Sequence, residues 1–325
     1  MVNEQTSIKK IKNFIGSTSR DYAIIYILLG LTIILSFVAN SFLTTGNLIN
    51  VIRQGAIFGI LAAGEFFVII AGMIDLSIGS ILALSGILFT MIIKAGGIEM
   101  LPVAILVGLG VGGLVGLING VLVANLNIPP FIATLGTMLA VRGCVYMTTN
   151  AYPIVDLADG FNFIGRGFLL GVPFPVLILI VVYVISIVFS EKTKRGRFLY
   201  ALGGNEDAAY LSGIRVDRMK ILSFVICGLM AAIAGIILMS RLDSGQPNAG
   251  NGYEFEAIIA VVLGGVSFSG GKGKALNVFF GTIFIAMLVN GMTLMNVNPF
   301  VQQIVKGVVF IVAIWNDVLR NQVKR

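Results

Sequence analysis

Apolar residues run along this chain in blocks of about 20, each closed by a short polar stretch, and a helix of that length crosses the ~30 Å of hydrocarbon in a bilayer. The blocks fall at 22–42, 49–73, 78–94, 101–124, 130–149, 171–190, 219–240, 255–269, 276–296 and 301–319. They predict ten transmembrane helices in an all-α, polytopic membrane fold. The eighth block is the shortest. Two connections are long enough to carry structure of their own, 150–171 and 191–218. The others are short, so the pattern gives one transmembrane domain over 1–325, with a basic stretch at 1–20 and a polar loop at 191–218.

Charge sets the orientation. Placing the N-terminus in the cytoplasm and alternating sides puts Lys9, Lys10, Lys12, Arg20, the 192–197 and 215–220 clusters, Lys272, Lys274, Arg320, Lys324 and Arg325 inside, 16 of the 22 basic residues. Lys94, Arg166 and Arg241 fall outside, and Arg53, Arg142 and Lys306 within spans. That asymmetry obeys the positive-inside rule, with both termini cytoplasmic in a multi-pass membrane protein surrounded by lipid. The outer loops carry Glu99, Asp156, Asp159, Asp243 and Glu254, a mildly acidic face on which a basic patch of an external partner has a place to dock. The first block is too long for a signal-peptide core and lacks a small-residue cleavage site, so it is expected to be retained.

Composition agrees with this. Hydrophobic residues make up 57% of the chain and charged residues 11%, too little charge to clothe a soluble domain of 325 residues. The net charge of +7 sits in clusters at block ends rather than along a stripe, so no nucleic-acid partner is expected. There is no histidine, which removes the common general base and the His-containing zinc sites. Cys144 and Cys227 lie far apart inside apolar blocks and are expected to be small buried residues. Glycines recur closely at 108, 110, 112, 113, 116 and 120, the pattern of helices packed backbone to backbone in lipid. A brief echo, VIIAGM at 68–73 and VVLGGV at 261–266, hints at an internal duplication.

Polar groups at membrane depth carry the candidate chemistry. The densest interruption is GMIDLSIGS at 72–80, where Asp75 either caps the third helix, its carboxylate taking free N–H groups, or borders a pathway or gate with Ser77. Asn119, Thr134 and Asn290 are further pathway candidates, since scattered amides and hydroxyls suit weak binding of a hydroxyl-rich cargo. Arg142 and Lys306 lie near block ends and are expected to snorkel toward the interface. Glu65 sits near mid-block, where a carboxylate must be paired, protonated or wet, and so it keeps a proton- or sodium-coupled secondary transporter open.

The 191–218 loop holds a second signal. Asn205 suits an N-cap, Glu206 and Asp207 a first turn and Gly213 a stop, which predicts a helix of about two turns outside the membrane. Such a helix is either a plain capped loop or an element that inserts into a partner's groove. GGKG at 270–273 imitates a phosphate loop but lacks its spacing: Val266 and Gly273 stand where glycine and Ser or Thr are required. No nucleotide site, catalytic residue or metal ligand is expected in the chain itself.

Four segments, GMIDLSIG at 72–79, YALGGNEDAAYLSG at 200–213, GYEFEAIIAVVLGGVSFSGGKG at 252–273 and IVKGV at 304–308, resemble the ribose-type permeases of bacterial ABC sugar importers, in order and over nearly the whole chain. Met73 stands where other members often have glycine, and Glu65 lies outside the family's core motif. The resemblance implies a non-enzymatic permease that pairs with a second copy or a paralogue. It implies a cytoplasmic ATP-binding cassette partner that binds the ATP and an external sugar-binding protein. It also implies that 205–213, with Asn205, Glu206, Asp207, Ala208, Ala209 and Gly213, is the coupling helix, and that the cargo is ribose or a related monosaccharide. An assembly subunit without transport remains a further alternative, one that leaves the 205–213 helix unexplained.

Overall fold

The computed structural model describes residues 23–322, and the expectations for the basic stretch at 1–20, for the start of the first span and for Lys324 and Arg325 lie outside the described residues. The chain is an all-α membrane fold. Helix α1 (Ala23–Val38) is followed by α2 (Thr45–Ile70), α3 (Ile78–Gly96), a 3-10 turn at Ile98–Met100, α4 (Leu101–Ala124) and α5 (Pro130–Thr149). A one-turn α6 (Phe163–Arg166) and a hairpin of β1 (Phe168–Leu169) and β2 (Val172–Pro173) lead into α7 (Phe174–Lys192). Then come α8 (Lys194–Gly204), α9 (Glu206–Leu211), α10 (Val216–Leu242), α11 (Tyr253–Leu263), α12 (Ala275–Leu294) and α13 (Pro299–Gln322). Eight of these, α2 to α5, α7, α10, α12 and α13, are long and apolar enough to cross a membrane.

Helix α2 is the hub. Every residue from Gly55 to Ile70 is buried, the signature of a helix apolar on all sides and enclosed by others. It packs against α7, α10, α11 and α12. The glycine stripe of α4 lies on α10: Gly112 faces the Gly228 carbonyl and the Ala232 side chain, Gly116 the Phe224 carbonyl and Gly120 the Ile221 backbone. Spacing of four residues keeps these glycines on one helix face, and the missing side chains let the two backbones approach. A Cβ on Gly112 would collide with main chain, whereas one on Gly110 meets open space. Overpacking costs about 1–3 kcal/mol even against movable side chains. Gly112→Val is therefore expected to lower the thermal midpoint in detergent sharply, and Gly110→Val to leave it near that of the parent.

The eighth expected span is the one the fold alters. Helix α11 has 11 residues, about 16 Å, roughly half of the hydrocarbon thickness. It stops where Gly265 takes φ +80, with Gly265 N–H donating to Val262 O (2.8 Å) and Val266 N–H to Val261 O (3.3 Å). Helix α2 stops in the same way at Gly72, φ +81, through Gly72 N–H to Ile69 O (2.9 Å) and Met73 N–H to Val68 O (3.1 Å). The echo between 68–73 and 261–266 is thus one helix stop used twice, a left-handed residue that only glycine adopts without strain.

Because α11 is short, the non-helical chain before it reaches into the bundle. Arg142 of α5 meets it there. Its Nη1 donates to Pro247 O (3.0 Å) and Ala249 O (2.9 Å), and its Nη2 to Gly79 O (3.1 Å) near the start of α3. Arg142 does not snorkel: its fork joins the start of α3 to the irregular chain before α11, whose Pro247 and Ala249 carbonyls lie outside any helix. Lys306 does not snorkel either, since its Nζ lies 2.6 Å from Glu256 Oε1, joining α13 to α11. Cys227 is buried as expected, but Cys144 is exposed on α5.

Candidate functional site: a coupling platform and a buried polar turn

At one end of the bundle the 191–218 loop folds into two helices. Thr193 caps α8, its Oγ1 accepting from Gly196 N–H (3.0 Å), and Asn205 caps α9, its Oδ1 accepting from Ala208 N–H (2.9 Å). Glu206 and Asp207 occupy the first turn of α9, and Gly213 at φ +80 follows its end. Ala209 packs inward while Ala208 is exposed. Glu206 Oε1 lies 2.6 Å from Lys220 Nζ, tying α9 to α10. Glu206, Asp207, Tyr210 and the 213–218 segment enclose a groove of about 590 Å³. Tyr210 and Leu211, 70% and 83% exposed, leave α9 with an apolar tip in open space. Charge and capping patterns pointed to this helix; its apolar contact residues were visible only as a mixed composition.

Helix α8 connects α9 to the bundle through glycines. Gly203 lies against the Ile70 carbonyl at the end of α2 and against Gly271 N, and Gly271 N–H itself donates to Ile70 O (2.9 Å). Gly270 packs on Gly72 and on the Gly203 carbonyl. Three stretches of main chain, 70–72, 203–204 and 270–271, meet with no side chain between them. The glycines that imitate a phosphate loop serve this contact. Tyr200 anchors it, its hydroxyl donating to Gly273 O (2.8 Å). Burial pushes that hydroxyl up to about 12, so it remains a donor at neutral pH.

From Gly72 the chain enters the polar turn before α3. Asp75 and Ser77, expected together, are joined here by Asn119 and Glu65, which were expected separately, and all four are fully buried. Asp75 Oδ1 accepts from Ser77 N–H (2.8 Å), Ser77 Oγ (2.6 Å) and Asn119 Nδ2 (3.4 Å). Asn119 Nδ2 also donates to Ser77 Oγ (2.8 Å). The N-cap position of α3 is Ser77, not Asp75; the carboxylate takes the N–H two residues on, an Asx turn. Glu65, whose partner no sequence pattern revealed, accepts from Asp75 N–H (3.1 Å) and Cys227 Sγ (3.6 Å). Thr134 is elsewhere, bonded to Pro130 O within its own helix (2.8 Å). Asn290 forms a reciprocal amide pair with Asn47, at 2.8 and 3.0 Å, near the opposite end of α2.

That opposite end keeps four of its five acidic residues exposed, Glu99, Asp156, Asp159 and Asp243. Asp156 lies 4.0 Å from Lys94, Glu254 is buried, and Asp243 bonds Asn162 (3.4 Å). Arg53, which the apolar pattern placed inside a span, joins the 150–171 loop: its guanidinium lies 4.7 Å from the Phe168 ring centroid and donates to the Arg166 carbonyl. Arg166 Nε donates to Arg241 O (2.6 Å). The guanidinium groups of Arg53 and Arg166 thus take main-chain carbonyls and an aromatic ring as partners, close to Arg241.

Comparison with known proteins places this architecture. The family described as branched-chain amino acid transport system / permease component matches residues 47–314. The ribose import permease protein RbsC of Bacillus subtilis (strain 168) is 46% identical over 289 residues, 88% of this chain and 89% of that protein. RbsC of Escherichia coli (strain K12) is 43% identical over 295 residues, 89% of this chain and 91% of its own. The xylose transport system permease protein XylH of Haemophilus influenzae (strain ATCC 51907 / DSM 11121 / KW20 / Rd) is 34% identical, covering 90% of this chain and 96% of that protein. No solved structure matches the chain.

Proposed function

The chain belongs to the branched-chain amino acid transport system / permease component family, and we propose that it is the membrane-spanning permease of an ATP-driven importer whose cargo is ribose or a closely related monosaccharide. The observation that carries the cargo is identity of 43–46% to two ribose import permeases over nearly nine-tenths of the chain. The permease makes and breaks no covalent bond. ATP is bound and hydrolysed by a cytoplasmic cassette partner that receives α9, with Tyr210 and Leu211 as the apolar contact and Asn205, Glu206, Asp207 and Gly213 fixing the helix that presents them.

Movement of α9 is passed on through Gly203, three residues before it, to the end of α2 and to the loop after α11. Through Gly72 it reaches Asp75, Ser77 and Asn119, which we assign to a gate that is closed when they bond one another. In this assignment Thr134 and Asn290 support their own helices. The opposite end of the bundle faces outward, and the exposed Glu99, Asp156, Asp159 and Asp243 offer a basic patch of a sugar-binding protein a place to dock. The exposed apolar face of α13, including Phe300, Ile304 and Ile311, with the partly exposed Lys306 ammonium at its side, supports a second permease copy beside α13, because a charge left against lipid is costly.

Radiolabelled ribose uptake into proteoliposomes tests this reading. Uptake is expected only with the cassette subunit, the binding protein and ATP on the cassette side. Uptake by this chain alone under an ion gradient would transfer the assignment to a secondary transporter.

A further inference from the structure

Glu65 and Asp75 are 0% exposed and joined through one backbone N–H, yet among the described residues no ammonium or guanidinium group bonds either of them. The groups that face them are Ser77 from the turn itself, Asn119 from α4 and Cys227 from α10. Two ionised carboxylates in such a place lose their hydration and repel one another, so the pair must take up positive charge.

Two orphaned atoms say where. Asp75 Oδ2 and Asn119 Oδ1 are buried acceptors without a hydrogen-bond partner, although the two side chains already touch through Asp75 Oδ1 and Asn119 Nδ2 at 3.4 Å. We propose that Asp75 binds a proton on Oδ2 and donates it to Asn119 Oδ1, closing an acid–amide pair that locks the turn between α2 and α3. One proton turns two unsatisfied acceptors into a donor and its acceptor, and removes one of the two charges. On Glu65 it would do less, because both Glu65 oxygens already accept, from Asp75 N–H and Cys227 Sγ. Leaving a buried acceptor unpaired carries its desolvation penalty uncompensated, so a proton at this position removes two such penalties together. The proton is a structural ligand of the closed turn: opening the turn to water exposes Asp75 and lets the proton go. This inference rests on the packing of the turn and is independent of the cargo.

The test is infrared spectroscopy of the full chain in lipid at neutral pH, taken as difference spectra between parent and variants. The parent is expected to show a protonated-carboxyl carbonyl band that is absent from Asp75→Asn and retained in Glu65→Gln. Asn119→Ala, which keeps both carboxyl groups and removes the acceptor, is expected to move the band to higher wavenumber, and it serves as the readout should Asp75→Asn fail to fold. A band kept in Asp75→Asn or lost from Glu65→Gln overturns the proposal. So does a parent without the band, which would mean that a bound cation neutralises the pair, and so does a band unmoved by Asn119→Ala.

Discussion

Arg142→Leu is expected to leave little folded protein in the membrane. The guanidinium supplies three hydrogen bonds to the main-chain carbonyls of Gly79, Pro247 and Ala249, joining the start of α3 to the chain before α11. Leucine preserves bulk and hydropathy but leaves the Pro247 and Ala249 carbonyls without this donor and takes from the Gly79 carbonyl a second partner beside the one its own helix supplies. At about 1–3 kcal/mol for each orphaned carbonyl, the loss is a large share of the stability of an ordinary domain. Lysine retains the charge but not the planar fork, and a single ammonium cannot hold three carbonyls in the same geometry. The expected order of yield and of thermal midpoint in detergent is parent, then Arg142→Lys, then Arg142→Leu far below. If Arg142 were a snorkelling residue, leucine would be tolerated or even stabilising, so equal yields would return it to that role.

The same region shows where sequence reading succeeds and where it stops. Block length located the long helices because a bilayer imposes one length on every crossing, and Asn205, Glu206, Asp207 and Gly213 located α9 because capping is local chemistry. The depth of α11 was hidden because an average over 255–269 registers apolar residues whether or not the helix runs through them. The stop was nevertheless written there: Gly264 and Gly265 sit at the centre of that block, and the likeness to Ala71 and Gly72 at the end of α2 marked it. Arg142 looked like an interface residue because its partners are carbonyls, which carry no side-chain signature and lie 63 to 107 residues away. The partners of Asn290 and Glu65 were hidden for the same reason. An amide or a carboxyl group in an apolar block announces that a partner exists, but Asn47, Asp75 N–H and Cys227 become neighbours only in the packed bundle.

Gly203→Val is expected to separate ATP hydrolysis from uptake. Gly203 touches the Ile70 carbonyl and Gly271 N with nothing between, so a side chain there must push α8 away from the end of α2 and from the 270–271 segment. The capped helix α9 begins three residues later, with its tip of Tyr210 and Leu211 exposed, and nothing about its own geometry changes. With α9 in the coupling role proposed for it, cassette binding and ATP hydrolysis should persist, and what is lost is the contact by which a displaced α9 would move Ile70, Gly72 and the turn beyond. Overpacking of about 1–3 kcal/mol biases a conformational equilibrium by about 5- to 150-fold, and uptake per ATP hydrolysed should fall within that range. Gly204→Ala is the internal control, because a Cβ at the next residue meets open space. The measurement is paired ribose uptake and phosphate release in the same proteoliposomes. A parallel loss of both activities would place Gly203 in the docking of the cassette, and unchanged coupling would remove this three-glycine contact from the path of transmission.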